Sequence, residues 1–474
     1  MRVLLINPPS PERLGSPLLG LQYVAAALIA SGVDVRVLDA AARGAAPSTR
    51  DIVREAEAFQ PNVIGMSLFT RWVWHAYRLL DELAGRGSWT LVAGGAHATV
   101  CPEETIERGF DVALRGEAEQ SLVRLVAALD GRDDIARIPG VVFRRPNGEI
   151  ASGPPAVLID DLDALPPPHL AQPLFSPSWY GGDGASVVPG GILTSRGCPA
   201  RCTFCANYVT GRAFRYREPG EVAREIVAWH ETWDMSFFPI WDDAFTVHQR
   251  RLLSLCAEFE RLDFPFGFSA ITRANLVTPE LLAAMRRAGA VHVNFGVESG
   301  DDDILAAIGK GIRTDQVVRA LTWAKDLGLA TACNFMLGFP QEDEAALERT
   351  RRFMERIAPL TDTFSTLGVV VPFPGTPIYD DWHASHGFTN WWLREEYSRY
   401  TPPPSIEDRE AFYSYYTDDS NLELDFFRYG AGMRSLIREC LRFKAEHNLK
   451  AMGLLPDPVF RPNAERHVDA GVAS

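Results

Sequence analysis

The sequence has no long apolar run and only seven cysteines in 474 residues. A membrane-spanning helix needs roughly 18 or more consecutive apolar residues, so we expect no membrane span and no membrane partner. Residues 1–7 form a strand-like run without the pattern of a signal peptide. Secreted disulfide scaffolds are far denser in cysteine. These absences together predict a cytoplasmic globular protein with enough chain for two hydrophobic cores.

The sequence also has fewer positively charged side chains than negatively charged ones. The chain has 47 lysines and arginines against 61 aspartates and glutamates, which gives a net charge of −14. Proteins that bind a phosphate backbone present basic surfaces. The charge balance therefore argues against a nucleic-acid partner.

A third absence concerns the loop after the first predicted strand. Residues 7–17 read Asn-Pro-Pro-Ser-Pro-Glu-Arg-Leu-Gly-Ser-Pro instead of the G-x-G-x-x-G turn. This loop is too long and too rich in proline to hold a pyrophosphate against a helix N-terminus. The sequence therefore argues against NAD and FAD.

Residues 1–152 alternate short β-branched runs with helical periodicity, a pattern typical of a parallel sheet with helices on both faces. Strands are predicted at 2–6, 33–38, 63–67, 90–93 and 111–114, and helices at 20–30, 72–83 and 117–129. A predicted hairpin of residues 138–143 and 150–151 closes this doubly wound α/β domain.

A stretch rich in Pro, Gly, Asp and Ser follows at 153–187, which we predict to be a linker across the surface. The alternation resumes in residues 188–382, with strands predicted at 192–194, 237–241, 266–270, 292–296, 330–337 and 365–371. Six such units fit a partial (β/α)6 barrel, in which reactive groups lie at strand C-termini.

Residues 383–474 show no barrel pattern and predict a mostly helical C-terminal region with a terminal helix at 425–447. An aromatic-rich stretch lies within it, containing Trp391, Trp392, Tyr397, Tyr400 and residues 413–416. These rings either pack against the barrel or line a substrate mouth.

Cys198, Cys202 and Cys205 form a C-x3-C-x2-C motif just after the first predicted barrel strand. An odd number of neighbouring cysteines does not suit disulfides. Zinc would need a fourth cysteine or a histidine nearby, and the next histidine along the chain is His230. Three thiolates can hold a 4Fe–4S cluster and leave one iron open for a ligand, which implies chemistry at the metal. We therefore predict an open 4Fe–4S cluster.

This motif, with Phe204 before its third cysteine, resembles that of the radical S-adenosylmethionine (SAM) enzymes, and later segments extend the resemblance in the expected order. The resemblance implies that the open iron chelates the amino and carboxylate groups of SAM. It also implies an electron donor, such as flavodoxin, ferredoxin or a dedicated reductase. An electron from the reduced cluster then splits SAM into methionine and a 5′-deoxyadenosyl radical. Phe204 is then expected to pack near the adenine.

The same resemblance assigns further side chains to SAM. Asp242 or Asp243, after the second strand, is expected at the amino group, and the alternative for Asp243 is capping a helix. Ser269 and Arg273 follow the third strand, where polar groups reach the ribose or the carboxylate. Arg273 either pairs with that carboxylate or forms a surface salt bridge.

Glu298 lies in the stretch Phe-Gly-Val-Glu-Ser-Gly, which matches the G-x-E-S-G of the family. It is expected to contact a ribose hydroxyl, with a structural ion pair as the alternative. Asn334 opens the stretch Asn-Phe-Met-Leu-Gly-Phe-Pro, where the resemblance implies that the backbone approaches the adenine. No side chain is singled out as a catalytic acid or reductant.

Residues 1–152 look like the cobalamin-binding-type domain that precedes the radical core in one subfamily. The resemblance rests on Asn7-Pro8-Pro9, Gly94-Gly95-Ala96-His97 and Arg115-Gly116-Glu117-Ala118-Glu119, among other segments at predicted strand ends. The D-x-H-x-x-G element that supplies a histidine to cobalt is absent. Cobalamin is therefore an expected cofactor whose use the sequence leaves open. We predict that His97 makes contacts within its own loop rather than serving as an axial ligand of cobalt.

The resemblance predicts a radical SAM enzyme that abstracts hydrogen from a small molecule, such as an aminated sugar or another specialised metabolite. The leading reaction is methyl transfer from methylcobalamin to an unactivated carbon in natural-product biosynthesis. The alternative is a cobalamin-independent radical dehydration, as in the diol dehydratases of aminoglycoside pathways, or a cyclisation. A remote alternative is a non-catalytic cobalamin or iron–sulfur sensor.

Overall fold

The computed structural model describes residues 1–180, 190–398, 403–404, 406–417 and 424–451. Within them the chain forms a seven-stranded sheet, a five-stranded parallel sheet and a helical C-terminal region, which confirms the predicted fold class. None of the helices in these residues combines the length and the apolar character needed to cross a bilayer.

The N-terminal sheet has the strand order β2-β1-β3-β4-β5-β6-β7. Strands β1 to β5 pair in parallel, and β6 and β7 form the predicted antiparallel hairpin at one edge. The elements of this part are β1 Arg2–Asn7, α1 Leu19–Ala30, β2 Asp34–Asp39, α2 Thr49–Phe59, β3 Val63–Ser67, α3 Val73–Leu83, β4 Thr90–Gly94, α4 Gly95–Val100, α5 Pro102–Glu107, β5 Val112–Leu114, α6 Glu119–Leu129, β6 Val141–Arg144 and β7 Ile150–Ser152.

Strand β1 is buried on both faces because helices cover both sides of the sheet. Val3 and Leu5 pack in one apolar cluster with residues of α1 and α6, whereas Leu4 and Ile6 belong to another cluster with residues of α2 and α3. A run of consecutive apolar residues is the pattern expected of a central parallel strand.

The predicted linker packs on the N-terminal sheet as far as the structure describes it. Short 3-10 turns replace a free connection, and Ala171, Phe175 and Tyr180 are buried in the same cluster as α1. Gln172 accepts a 2.7 Å hydrogen bond from Gln22, and the Tyr180 hydroxyl donates to Asp39 at 2.8 Å. Residues 181–187 of the predicted linker lie outside the described residues.

The second sheet has the strand order β10-β11-β12-β13-β14, all parallel. Its elements are β8 Ser195–Arg196, β9 Arg215–Tyr216, α7 Pro219–Trp233, β10 Phe237–Ile240, α8 Gln249–Phe259, β11 Gly267–Thr272, α9 Pro279–Arg287, β12 Ala290–Glu298, α10 Asp302–Ala307, α11 Thr314–Asp326, β13 Ala330–Leu337, α12 Glu344–Ile357 and β14 Thr363–Val369. The first predicted barrel strand is reduced to one parallel bridge, Ile192 to Ile240, because the next residues turn toward Asp242.

The C-terminal region contains α13 Pro377–His386, α14 Glu395–Ser398, α15 Arg409–Thr417 and α16 Ala431–Ala451. The last helix begins at residue 431, not 425 as predicted, because the Asp425 carboxylate accepts from the Tyr429 N–H and pairs with Arg434 in a turn before it. The aromatic side chains of Trp391 and Trp392 are buried, which favours packing over a substrate mouth. Tyr400 and residues 452–474 lie outside the described residues.

Candidate active site

The three motif cysteines lie on one loop whose two ends are joined by a short antiparallel ladder. Strands β8 and β9 pair Ser195 with Tyr216 and Arg196 with Arg215, and the loop runs between them. Gly197 opens the loop at a φ of +87°, and a Cβ there would lie 2.2 Å from the Ala213 carbonyl oxygen. Only glycine fits this close approach at positive φ. The base of the loop is therefore fixed by its own backbone.

The thiols of the loop influence one another electrostatically. Cys202 is buried, Cys198 is half-buried and Cys205 is the most exposed. Loss of hydration raises the pKa of the Cys205 thiol to about 11, and the neighbouring Cys202 and Cys198 act in the same direction. Bound iron would stabilise the thiolates and reverse this effect, since a thiol is deprotonated when it coordinates a metal.

The donor set of the loop fits the predicted cluster. Cys198, Cys202 and Cys205 are free thiols on one loop. Each thiolate of a 4Fe–4S cluster binds its own iron, so three cysteines can hold three of the four irons.

A neighbouring loop of the barrel supports the cysteine loop from the side. The Thr203 N–H donates to the Ile308 carbonyl at 2.9 Å, and a Cβ on Gly309 would lie 2.8 Å from the Arg201 carbonyl oxygen. From the end of β11, Arg273 donates from Nη1 to the Cys202 Sγ at 3.4 Å. Hydrogen bonds to ligating sulfurs tune the reduction potential of a cluster. Arg273 thus reaches a predicted iron ligand directly.

Glu298 ends β12 in a strained, buried position. Its φ of +73° is unusual for a residue other than glycine, and such outliers cluster at functional sites. Its Oε1 accepts from Lys310 Nζ at 2.7 Å, so the ion pair named as the alternative is present. The Lys310 ammonium also lies 5.9 Å from the centre of the Phe204 ring. Lys310 therefore links Glu298 to the cysteine loop, and the sequence analysis missed it.

The two aspartates after β10 have different environments. Asp242 is buried, and its carboxylate accepts from the backbone N–H groups of Thr194 and Ser195 at 2.7 and 3.0 Å and from both of their hydroxyls. Asp243 is exposed, and one of its oxygens accepts from the Gly197 N–H at 2.9 Å. Asp242 is thus occupied within its own chain, and we retain only Asp243 as a candidate for SAM.

Polar side chains line the inward face of the barrel sheet. Residues of β11 alternate between half-exposed and buried positions, and Ser269, Asn294 of β12 and Asn334 of β13 are half-exposed. Asn334 is in register with Gly296 of β12 and with Ser365 of β14. Asn294 Oδ1 is shielded from solvent and accepts no hydrogen bond from the described residues. Asn294 lies in a strand of β-branched residues, where no sequence motif indicated a functional role for it.

Phe204 packs against the loop that follows β13, since its ring centre lies 5.7 Å from that of Phe339. This contact brings the cysteine loop against the stretch that begins at Asn334. The seven predicted cofactor-binding residues thus come from the cysteine loop and four barrel strands. Ser269 and Asn334 lie within β11 and β13, so Ser269 does not follow its strand as predicted. Glu298 ends β12, and the other three follow β10 or β11.

Two adjoining cavities open at the C-terminal edge of the N-terminal sheet, where an open α/β sheet binds ligands. The smaller, of about 200 Å³, is mostly apolar and is lined by glycines of the predicted motif together with Glu117 and Arg196. The larger, of about 490 Å³, is lined by Asn7 and Thr70 on one side and by Ala206 and Tyr208 of the cysteine loop on the other. Ser67 borders both.

His97 lies beneath this edge and is fully buried. Its Nδ1 lies 3.1 Å from Thr70 Oγ1 and its Nε2 lies 3.2 Å from the Tyr77 hydroxyl. No histidine of the described residues lines either cavity. The predicted role as a loop contact therefore agrees with its surroundings, and an axial role does not.

Known families match both halves of the chain. The Radical SAM superfamily matches residues 192–354, and the B12 binding domain matches residues 16–126. The chain is 32% identical over 348 residues to an anaerobic magnesium-protoporphyrin IX monomethyl ester cyclase of Synechocystis, covering 70% of this chain and 68% of that one.

This chain belongs to the radical SAM superfamily. Its two matched domains are those of cobalamin-dependent radical SAM enzymes, whose cofactors are a 4Fe–4S cluster, SAM and cobalamin. An uncharacterized methyltransferase of Pyrococcus horikoshii is 28% identical over 465 residues, which cover 93% of this chain and 98% of that one. The radical SAM methyltransferase TsrM from Kitasatospora setae shares the fold, with a TM-score of 0.64 and 21% identity over 81% of this chain and 75% of that one.

Proposed function

We propose that this radical SAM enzyme transfers a methyl group to an unactivated carbon of a small molecule in the cytoplasm. The observation that carries the proposal is the larger cavity, because residues of the N-terminal sheet and of the cysteine loop line the same space. When bound there, a corrinoid supplies a transferable methyl group beside the site that generates the radical. The relatives named as methyltransferases support the same reaction.

In this proposal Cys198, Cys202 and Cys205 would hold the cluster, which would supply the electron for cleavage of SAM. The SAM site is formed by side chains within and at the ends of neighbouring barrel strands. Asp243 accepts from the amino group, Arg273 pairs with the carboxylate, Phe204 packs on the adenine, and Ser269, Glu298 and Asn334 surround the ribose and the base.

The substrate is then a small molecule that enters between the two domains, and an aminated sugar or another specialised metabolite fits the acidic chain. Flavodoxin, ferredoxin or a dedicated reductase supplies the electron. Polar groups of the inward barrel face, Asn294 among them, are positioned to orient this substrate beside SAM.

The test begins with anaerobic protein from cells supplied with cobalamin, in which iron and corrinoid are counted per chain. Reduced protein is then given SAM with a deuterated methyl group together with candidate substrates. Methyl transfer predicts stoichiometric corrinoid, S-adenosylhomocysteine and a product that carries three deuterium atoms. Iron without corrinoid, with 5′-deoxyadenosine as the SAM product and no S-adenosylhomocysteine, would contradict it.

That contrary result would favour the second candidate, a radical cyclisation or dehydration without methyl transfer. The 32% identity to a relative named as a cyclase is the observation that supports it. The two candidates share the cluster and the radical, so the cysteine variants affect both equally and only the fate of the methyl group separates them.

A further inference from the structure

A second group of metal-ligating side chains lies outside the site described above. His97 belongs to α4, Cys101 follows that helix, and Glu104 belongs to α5. One ligand atom from each residue, the imidazole nitrogen, the thiol sulfur and a carboxylate oxygen, lies within 4.8 Å of the other two. Among the described residues it is the one group of three or more histidine, cysteine or acidic side chains this compact.

The distances approach those of a tetrahedral site. His97 Nε2 and Glu104 Oε1 are 3.4 Å apart. Two ligands that each lie about 2.0–2.1 Å from a tetrahedral zinc ion are separated by roughly 3.4 Å. The Cys101 sulfur, which would bind at about 2.3 Å, lies within 4.8 Å of both of these atoms.

Surrounding hydrogen bonds hold the first two ligands in the orientation that a metal requires. Thr70 Oγ1 lies 3.1 Å from His97 Nδ1, so a proton on Nδ1 leaves Nε2 as an acceptor, which faces the Tyr77 hydroxyl at 3.2 Å; an ion at Nε2 would take the place of that hydroxyl. Trp392 donates from Nε1 to Glu104 Oε2 at 2.7 Å, and the Tyr77 hydroxyl donates to Oε1 at 2.6 Å, a bond that an ion at Oε1 would replace. Metal-ligating histidines and carboxylates are typically fixed by such outer contacts.

The local charge also favours a cation. Cys101, Glu104 and Glu107 line a cavity of about 750 Å³ that is open to the surface, with Arg108 as its one cationic side chain. An ion therefore has both an entry path and an attractive potential.

We propose that His97, Cys101 and Glu104 bind one divalent ion of the zinc class, with the fourth position open to this cavity. His97 binds through Nε2 and keeps its Nδ1–H on Thr70. Glu104 binds through Oε1 and keeps Oε2 on Trp392. The Cys101 thiol loses its proton to solvent as the sulfur–metal bond forms, so the site gains one ion and releases one proton.

The ion would connect the N-terminal domain to the C-terminal region. Trp392 follows the barrel, and besides its bond to Glu104 its ring lies 5.9 Å from the His97 ring, edge to face. Binding to the folded state alone stabilises it by mass action. The ion is therefore assigned a structural role at this interface, independent of the iron loop.

The test measures zinc and iron per chain in the full-length protein after reconstitution of the cluster and dialysis against micromolar zinc sulfate. We expect about one zinc in the wild-type protein and none in Cys101→Ala or His97→Gln, with unchanged iron in all three. Cys256→Ala, which removes a buried cysteine elsewhere, is the matched control and should keep its zinc.

Zinc K-edge absorption then identifies the ligands, because neither iron nor cobalt contributes at that edge. One sulfur at about 2.3 Å with three nitrogen or oxygen neighbours supports the site. Several sulfurs would place the zinc on the motif cysteines and overturn the proposal. The proposal is also overturned if Cys101→Ala binds as much zinc as the wild-type protein, or if neither binds zinc. The three side chains would then be a group joined only by hydrogen bonds. Should His97→Gln fail to fold, Cys101→Ala and Cys101→Ser alone decide.

Discussion

Arg196 donates from Nη1 to Glu117 Oε1 at 3.0 Å, and this buried ion pair joins the two domains directly beside the first iron ligand. Glu117 comes from the end of the N-terminal sheet, whereas Arg196 precedes Gly197 and Cys198. Arg215 on the paired strand donates to the other oxygen of Glu117 at 2.8 Å, and Glu119 accepts from Arg196 at 2.7 Å. The two acids and Arg196 also line the smaller cavity.

Removing Arg196 should therefore lower the stability of the folded protein. Arg196→Met leaves Glu117 and Glu119 buried with one cation fewer, and breaking a buried pair in this way costs about 3–5 kcal/mol. We expect a lower free energy of unfolding in chemical denaturation. The control is Arg54→Met, which removes the exposed pair with Asp51 and should change stability by about 1 kcal/mol or less. Equal stability of the two variants would show that the ion pair between the domains contributes little to the free energy of unfolding.

Most of the fold follows from periodicity, because strands buried on both faces and helices buried on one face leave distinct patterns. Strand β3 has the predicted bounds. Helix α2 was missed although Ser48 and Asp51 form a capping box at its start, a signal that the sequence does carry. Its polar surface obscured the apolar face formed by Ile52, Ala56 and Phe59.

The candidate site was only partly predictable for a different reason. Motifs identify residues that are close along the chain, so the cysteine loop and Glu298 were found. Lys310 pairs with Glu298 from 12 residues away, and nothing in its own Gly-Lys-Gly context indicates that it is buried. The linker at 153–187 stays a prediction, since proline and glycine exclude regular helices but do not determine whether a segment packs on a neighbour.

Each motif cysteine should be indispensable for cluster assembly. Replacing Cys198, Cys202 or Cys205 by Ala removes one of three thiolates, and the variant should lose both the visible absorption of the cluster and SAM cleavage while the far-UV circular dichroism persists. Cys333→Ala, which alters a buried cysteine in β13, serves as the control for cluster assembly. Formation of 5′-deoxyadenosine by Cys198→Ala would refute the assignment.

Arg273 should tune the cluster through its bond to Cys202. Arg273→Gln removes a positive charge and a charged N–H donor from a ligating sulfur, so the reduced cluster is less stabilised and the reduction potential should fall. A redox titration followed by electron paramagnetic resonance measures the shift without any substrate. Arg313→Gln, an exposed arginine two residues beyond Gly311, should leave the potential unchanged. An unaltered potential in Arg273→Gln would leave SAM binding as its remaining role.

Glu342 should make stability depend on pH. It lies in the loop after β13, where Oε2 accepts from the Gly338 N–H at 2.7 Å and Oε1 is buried without a partner. Burial raises its pKa from 4.5 to about 7, so the folded state holds a proton that the unfolded state releases between those values. Its favourable contribution is complete below pH 4.5 and is lost as the pH rises to about 7.

The lost contribution corresponds to about 3 kcal/mol for a shift of this size. Glu342→Gln cannot ionise and keeps an acceptor for Gly338, so its stability relative to wild type should increase between pH 4.5 and 7.5 and then level off. Urea denaturation at several pH values measures this difference, with Glu231→Gln at an exposed helix position as the control. The prediction is contradicted if Glu342→Gln, like the control, follows the pH dependence of the wild-type protein. Glu342 is then ionised in the folded protein at neutral pH, and its carboxylate must have a cationic or hydrogen-bonding partner there.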